Sequence, residues 1–109
     1  MTAATDLSNA IRLALSQDGH FICRANVGKF KMQDGRWFDT GLPVGFSDLF
    51  GNRAGDAKAF YIEVKAGRDT VKPHQEAFLA AMRKRGAIAG VARSVQDAKD
   101  LLRNSHQPV

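Results

Sequence analysis

Residues 60–67 read FYIEVKAG. Side chains alternate across a strand, so Phe60, Ile62 and Val64 share one face while Tyr61, Glu63 and Lys65 share the other. The first face is wholly apolar and suits a core. The second holds a glutamate and a lysine two residues apart, within the most apolar stretch of the chain. One reading is a half-exposed strand with an ion pair on its outer side. The other is a metal ligand beside a cation that faces a phosphate. What the neighbouring segments bring to that face decides between them.

Immediately upstream, SDLFG (47–51) is a second strand candidate, and NRAGDAK (52–58) supplies the turn. A four-residue loop, Ala54 to Ala57, is an ordinary hairpin length. It pairs Arg53 with Lys58, Gly51 with Phe60 and Asp48 with Glu63. Opposed residues point to the same face with Cβ atoms roughly 5 Å apart, so the two carboxylates would repel each other. A divalent cation between them reverses the sign of that interaction, and Mg²⁺ is held by one or two carboxylates together with waters and phosphate oxygens. A register shifted by two residues would preserve the same faces. Lys65 would project beside the ion, where a compact ammonium can hold an attacking water or a phosphate oxygen. A metal acidifies water and offsets charge developing at phosphorus. Asp48, Glu63 and Lys65 therefore form a candidate site for phosphodiester hydrolysis. Taken singly, Glu-x-Lys is common on solvated strands and Asp48 suits a turn; their joint placement on one hairpin favours the site.

Downstream, PHQEAFLAAMRKRG (73–86) predicts a helix with Pro73 in its first turn, Gly86 past its end and Phe78, Leu79 and Met82 on its apolar face. Gln75 falls in the first turn. As a capping-box partner it would need Ser or Thr at position 72, and Lys72 stands there, which leaves Gln75 to face the site. AIAGVA (87–92) predicts a short buried strand. A last helix opens at Ser94, with Asp97 as a partial capping box, and residues 104–109 read as a frayed tail.

Upstream of the site, residues 5–19 have the spacing of an amphipathic helix. Leu7, Ile11, Ala14 and Leu15 lie on one side, Thr5 or Asp6 at its start and Gly19 at its end. HFICRANV (20–27) predicts a strand. GKFKMQDGRWFDTG (28–41) alternates around Asp34-Gly35, which predicts a hairpin with a two-residue turn. The order of elements implies one α/β layer structure over residues 1–109.

The chain has 109 residues, a net charge of +5 and a pI near 9.8, a balance that favours a polyanionic partner. Cys23 is the sole cysteine, which excludes an internal disulfide and a cysteine-based zinc site and, beside Phe21 and Ile22, reads as a buried thiol. No apolar run approaches the ~20 residues that span a bilayer, and MTAATDLSNA lacks the pattern of a signal peptide, so a cytoplasmic location is expected. His20, His74 and His106 have no metal-ligand spacing and read as surface or packing groups. Met32, Met82 and the phenylalanines read as core. Arg24, Asn26, Lys29 and Lys31, with Trp37 across the hairpin, suit phosphate contacts or a basic edge that blocks aggregation. Arg68, Lys72 and His74 flank the candidate site.

GLPVGFSDLFG (41–51), FYIEVKAG, KPHQEAF (72–78) and GAIAGVARSVQDAKDLL (86–102) resemble the VRR-NUC family, the virus-type replication-repair nucleases of the PD-(D/E)XK superfamily. The resemblance covers nearly the whole chain and is to the stand-alone phage and bacterial members. It implies a restriction-endonuclease-like αβββαβ core, with a mixed central sheet flanked by helices. It implies Mg²⁺ or Mn²⁺ on Asp48, Glu63 and the Val64 carbonyl, Lys65 positioning the nucleophile, and Gln75 supporting the site. It adds weight to Arg24, Asn26 and Gly28 as DNA contacts, beside Lys29, Arg68 and Lys72. The implied activity is that of a metal-dependent DNA endonuclease, and the stand-alone members resemble homodimeric Holliday-junction resolvases. Rival readings are a flap, nicking or restriction-type nuclease, a decayed module that only binds branched DNA, and an interaction protein with a solvated charged strand. Two departures stand out: Ser47 occupies the place of the superfamily's proline, and the first helix has no metal-facing glutamate, with Asp6 as its only nearby acid.

Overall fold

A computed structural model describes residues 2–104; Asn104, expected in the tail, is the end of the last helix, and His106 with the rest of that tail, 105–109, lies outside the described residues. The first helix, α1, runs Ala3–Gln17 and is capped by Thr2 rather than by Thr5 or Asp6, the Thr5 N–H donating to Thr2 Oγ1 at 3.1 Å. Ala3 and Ala4 are strong helix formers, so the helix extends back to the nearest hydroxyl that can accept from a free N–H. Gly19 ends it as expected.

Strands β1 (Phe21–Arg24), β2 (Lys29–Lys31), β3 (Trp37–Asp39), β4 (Leu49–Asn52) and β5 (Ala59–Val64) follow in turn. Helix α2 (Pro73–Lys84), strand β6 (Ile88–Ala92) and helix α3 (Val95–Asn104) complete the described chain. The main sheet has the order β1-β4-β5-β6. Its first two pairings are antiparallel and the last, made through the α2 crossover, is parallel. The hairpin register is the expected one: Gly51 lies opposite Phe60, Leu49 opposite Ile62, and the Arg53 N–H donates to the Lys58 carbonyl at 2.8 Å. Gly51 is required by packing, because a Cβ there would overlap the Phe21 carbonyl of the adjoining strand.

Leu49, Phe60, Ile62, Val64, Ile88 and Ala92 fill one face of the sheet and pack against Ile11 and Leu15 of α1 and Ala98 and Leu102 of α3. The opposite face meets α2. There Phe46, Phe50, Tyr61 and Phe78 form an aromatic cluster, with Phe46 and Phe78 centroids 4.7 Å apart. Cys23, expected to be buried, is half-buried, since Phe21 beside it is turned largely to solvent.

The β2–β3 hairpin forms a separate two-stranded sheet. Its turn holds three residues, not two: Lys31 pairs with Trp37, the Met32 N–H donates to the Arg36 carbonyl at 2.7 Å, and Gly35 takes the left-handed backbone at φ +88°. The extra residue is the glycine bulge that lets the strands keep their twist. Phe30, Phe38 and Met32, expected in the core, are exposed, because among the described residues the ribbon pairs only with itself and contributes nothing to the core cluster.

Candidate active site

Asp48 sits one residue before β4 and is held from both neighbouring strands. The Ala25 N–H donates to its carbonyl at 2.9 Å and the Val64 N–H to its Oδ2 at 2.9 Å. Ser47 beside it is fully buried, its Oγ donating to the Leu49 carbonyl at 2.9 Å, so this serine fixes the backbone on the approach to β4. Continuation of the β4–β5 register places Glu63 opposite Asp48 on the face shared with Lys65.

Glu63 is 2% exposed and Lys65 4%. The Lys65 ammonium lies 3.6 Å from Glu63 Oε2 and 3.8 Å from Asp69 Oδ2. Glu63 Oε1 is buried with no hydrogen-bond partner. Burial pushes the Glu63 carboxyl up to about 8, the Asp48 carboxylate adds to the shift and Lys65 opposes it. A buried polar atom without a partner is costly and rare. The donor set is hard oxygen on neighbouring strands, and among the described residues no group of three His, Cys, Asp or Glu side chains gathers. Two carboxylates beside a main-chain carbonyl are hard oxygen donors of the kind Mg²⁺ or Mn²⁺ takes, so these residues fit the divalent cation that the sequence implies.

Two cavities open beside Asp48. The smaller, about 140 Å³, is bounded by Ala4, Thr5 and Ser8 of α1 with Arg24, Ala25, Asp48 and Val64. The larger, about 460 Å³, runs between the β1–β2 connection, the loop 44–48 and the start of α2, with Arg24, Asn26, Phe30, Asp48, His74 and Gln75 on its walls. Gly45 lets that loop lie directly on α2: its φ is +89°, and a Cβ there would overlap the His74 carbonyl.

Of the residues singled out from sequence, Asp48, Glu63 and Lys65 come together, and Arg24, Asn26 and Gln75 reach the larger cavity. Lys29, Arg68 and Lys72 are exposed and line neither cavity. Gln75 is not free of a capping role. Its Oε1 accepts from the Lys72 N–H at 3.0 Å. This half of a capping box needs only a backbone donor at position 72, so the lysine there does not prevent it. Thr5, Ser8, Phe30 and His74 also line the cavities beside Asp48. Ser8 was legible in part: Ala4, Ser8, Ile11 and Leu15 recur on one stripe of α1, and Ser8 is the polar member of it. Nothing local marks Phe30.

His20 behaves as a packing group, its Nδ1 accepting from the Ala54 N–H at 2.9 Å and its ring meeting Phe60 edge-on.

The VRR-NUC domain model matches residues 8–96. The chain belongs to the VRR-NUC domain family. A solved VRR_NUC domain is similar over 97% of this chain and 100% of its own length, with a TM-score of 0.68 and 20% identity, a likeness of fold. Comparison with curated proteins gives no match. The VRR-NUC fold is the restriction-endonuclease-like core, here α1, β1, β4, β5, α2 and β6, with the β2–β3 ribbon inserted and α3 appended. A VRR-NUC domain is of nuclease type, which makes DNA its substrate. No helix among the described residues is long and apolar enough to cross a membrane.

Proposed function

We propose that this VRR-NUC domain is a metal-dependent endodeoxyribonuclease, selective for branched DNA in the manner of a Holliday-junction resolvase. The observation that carries the metal-dependent chemistry is Glu63: a nearly inaccessible carboxyl with one unpartnered oxygen, in register with Asp48 and 3.6 Å from the Lys65 ammonium. Asp48 and Glu63 would hold Mg²⁺ or Mn²⁺, with the Val64 carbonyl completing the set. A divalent cation there acidifies water and offsets charge on the phosphate oxygens. Lys65 is held between Glu63 and Asp69, so its ammonium is pre-placed to orient the attacking water or a non-bridging phosphate oxygen. Gln75 stiffens the start of α2 through its bond to Lys72 and borders the cleft. Arg24 and Asn26 on the cleft wall, with Lys29, Arg68 and Lys72, supply phosphate contacts that position the strand.

Branched-DNA selectivity rests on the likeness to stand-alone family members. The same reading takes residues 1–109 as one cytoplasmic domain that acts as a homodimer, two sites related by a two-fold axis giving paired cuts. One observation favours a binding module instead. Thr5 and Ser8, not a carboxylate, face Asp48 across the smaller cavity, and Asp6 does not line it.

A digestion panel of four-way junction, flap and linear duplex, with Mg²⁺, Mn²⁺ or EDTA, tests the reading. Junction cutting that needs metal and is lost in Asp48→Ala with binding retained is the expected result. Equal cutting of plain duplex would refute the resolvase assignment, and no cutting with either metal would leave the module.

A further inference from the structure

The β2–β3 ribbon is the feature that hydrolysis at Asp48 and Glu63 does not use. Phe30 is 51% exposed, Phe38 55% and Trp37 67%. A two-stranded ribbon gains little stability of its own, and a run of bare rings on it marks a contact surface. Lys29 pairs with Asp39, Phe30 with Phe38 and Lys31 with Trp37. The alternation therefore puts Phe30 and Phe38 side by side on one face and Lys29, Lys31, Trp37 and Asp39 on the other. The phenylalanine face is continuous with the candidate active site, since Phe30 lines the same cavity as Asp48 and Gln75. At the tip Arg36 is bound to Asp34 at 2.7 Å.

We propose that the Phe30–Phe38 stripe is a base-stacking platform that takes an unpaired base at a DNA branch point and thereby sets the adjoining phosphate at Asp48. This rests on the reading of the cleft as a DNA site and names the structural feature of DNA that it selects. Arg24 lines the same cavity as Phe30 and Asp48, which joins a cation for the backbone to aromatic faces for bases, the combination that holds single-stranded DNA. An intact duplex offers phosphates to the cations but keeps its base faces stacked on one another, so the rings gain a partner only where pairing is broken.

The test uses the full chain with Ca²⁺ in place of Mg²⁺. It compares a splayed junction carrying 2-aminopurine at the unpaired branch position with a paired duplex of the same sequence. Wild type should quench the probe on binding. Phe30→Ala/Phe38→Ala should abolish the quench and weaken junction binding by about tenfold or more, with duplex binding unchanged. Phe30→Tyr/Phe38→Tyr should restore both, and Phe30→Leu/Phe38→Leu, apolar but without a π-face, should not. A quench that survives the alanine pair, or an equal loss on junction and duplex, overturns the proposal. So does loss of a dimer in sedimentation with junction binding intact, which would assign the stripe to contact between copies. Failure of the nuclease reading is seen separately, as a quench that persists in a wild-type protein that cuts nothing with Mg²⁺ or Mn²⁺.

Discussion

Glu63 is where burial and charge oppose each other most directly. Its carboxyl is raised from 4.5 to about 8, chiefly by burial and then by Asp48. Between those values the native state keeps a proton that the unfolded chain releases, so stability is full at the acid end and falls as pH rises toward about 8. Metal-free melting temperature is therefore expected to fall across that window, and added Mn²⁺ to restore more at its alkaline end than at its acid end, because the ion displaces the Glu63 proton. Glu63→Gln removes the titration. Calorimetry at the alkaline end should find this variant more stable than metal-free wild type by at least about 1 kcal/mol, roughly 5 °C, and indifferent to Mn²⁺. Lys65→Met keeps the stem and deletes the charge. Single-turnover cleavage should drop by about a hundredfold or more with junction affinity near wild type, as for loss of a group that acts on the transition state. Alternation across one strand was enough to put Glu63 and Lys65 on the same side. The bond from Lys72 to Gln75 was not legible, because a backbone donor leaves no mark in residue identity.

Among the elements, the β4–β5 hairpin was readable from loop length and apolar alternation. The caps and turns around it were less so. Ala57 in the turn has φ +56°, a left-handed conformation that an alanine adopts at a cost. Ala57→Gly is expected to raise stability by about 0.5 kcal/mol in urea unfolding, the relief of strain being partly offset by chain entropy. Gly51→Ala should act in the opposite direction by about 2–3 kcal/mol, since its Cβ would push β1 away from β4. The start of α1 and the three-residue turn of β2–β3 differ from expectation for one reason. Several nearby residues could serve as cap or turn, and small differences in local geometry select among them.

Taken together, the sheet and its three helices form a closed body from which the β2–β3 ribbon stands apart. Gly28 and Thr40 bracket that ribbon and are already joined, the Thr40 N–H donating to the Gly28 carbonyl at 3.0 Å. Replacement of residues 29–39 by a short Gly-Ser link should leave the melting temperature close to wild type, because the ribbon adds nothing to the main core. The same excision should remove the preference for junction over duplex. It takes out Lys29, Lys31 and Arg36 with Asp34 and Asp39, so one positive charge is lost from the net +5, and the affinity common to both DNAs is expected to fall linearly with salt on a log–log plot, read by fluorescence anisotropy.

The sequence by itself determined the element order and the faces of β5, and loop length favoured the hairpin register with Asp48 opposite Glu63 over one shifted by two residues, a choice that the strand pairing settled. Strand periodicity and loop closure are local properties, and residues near in the chain carry them. Only the tertiary structure decided that Glu63 is sealed from solvent with an oxygen left over, that Ser8 of α1 and Gln75 of α2 border cavities on either side of Asp48, and that Phe30 looks into a cleft instead of a core. Those outcomes depend on which helix covers which face of the sheet. That is set by packing between segments tens of residues apart, and no local pattern encodes it.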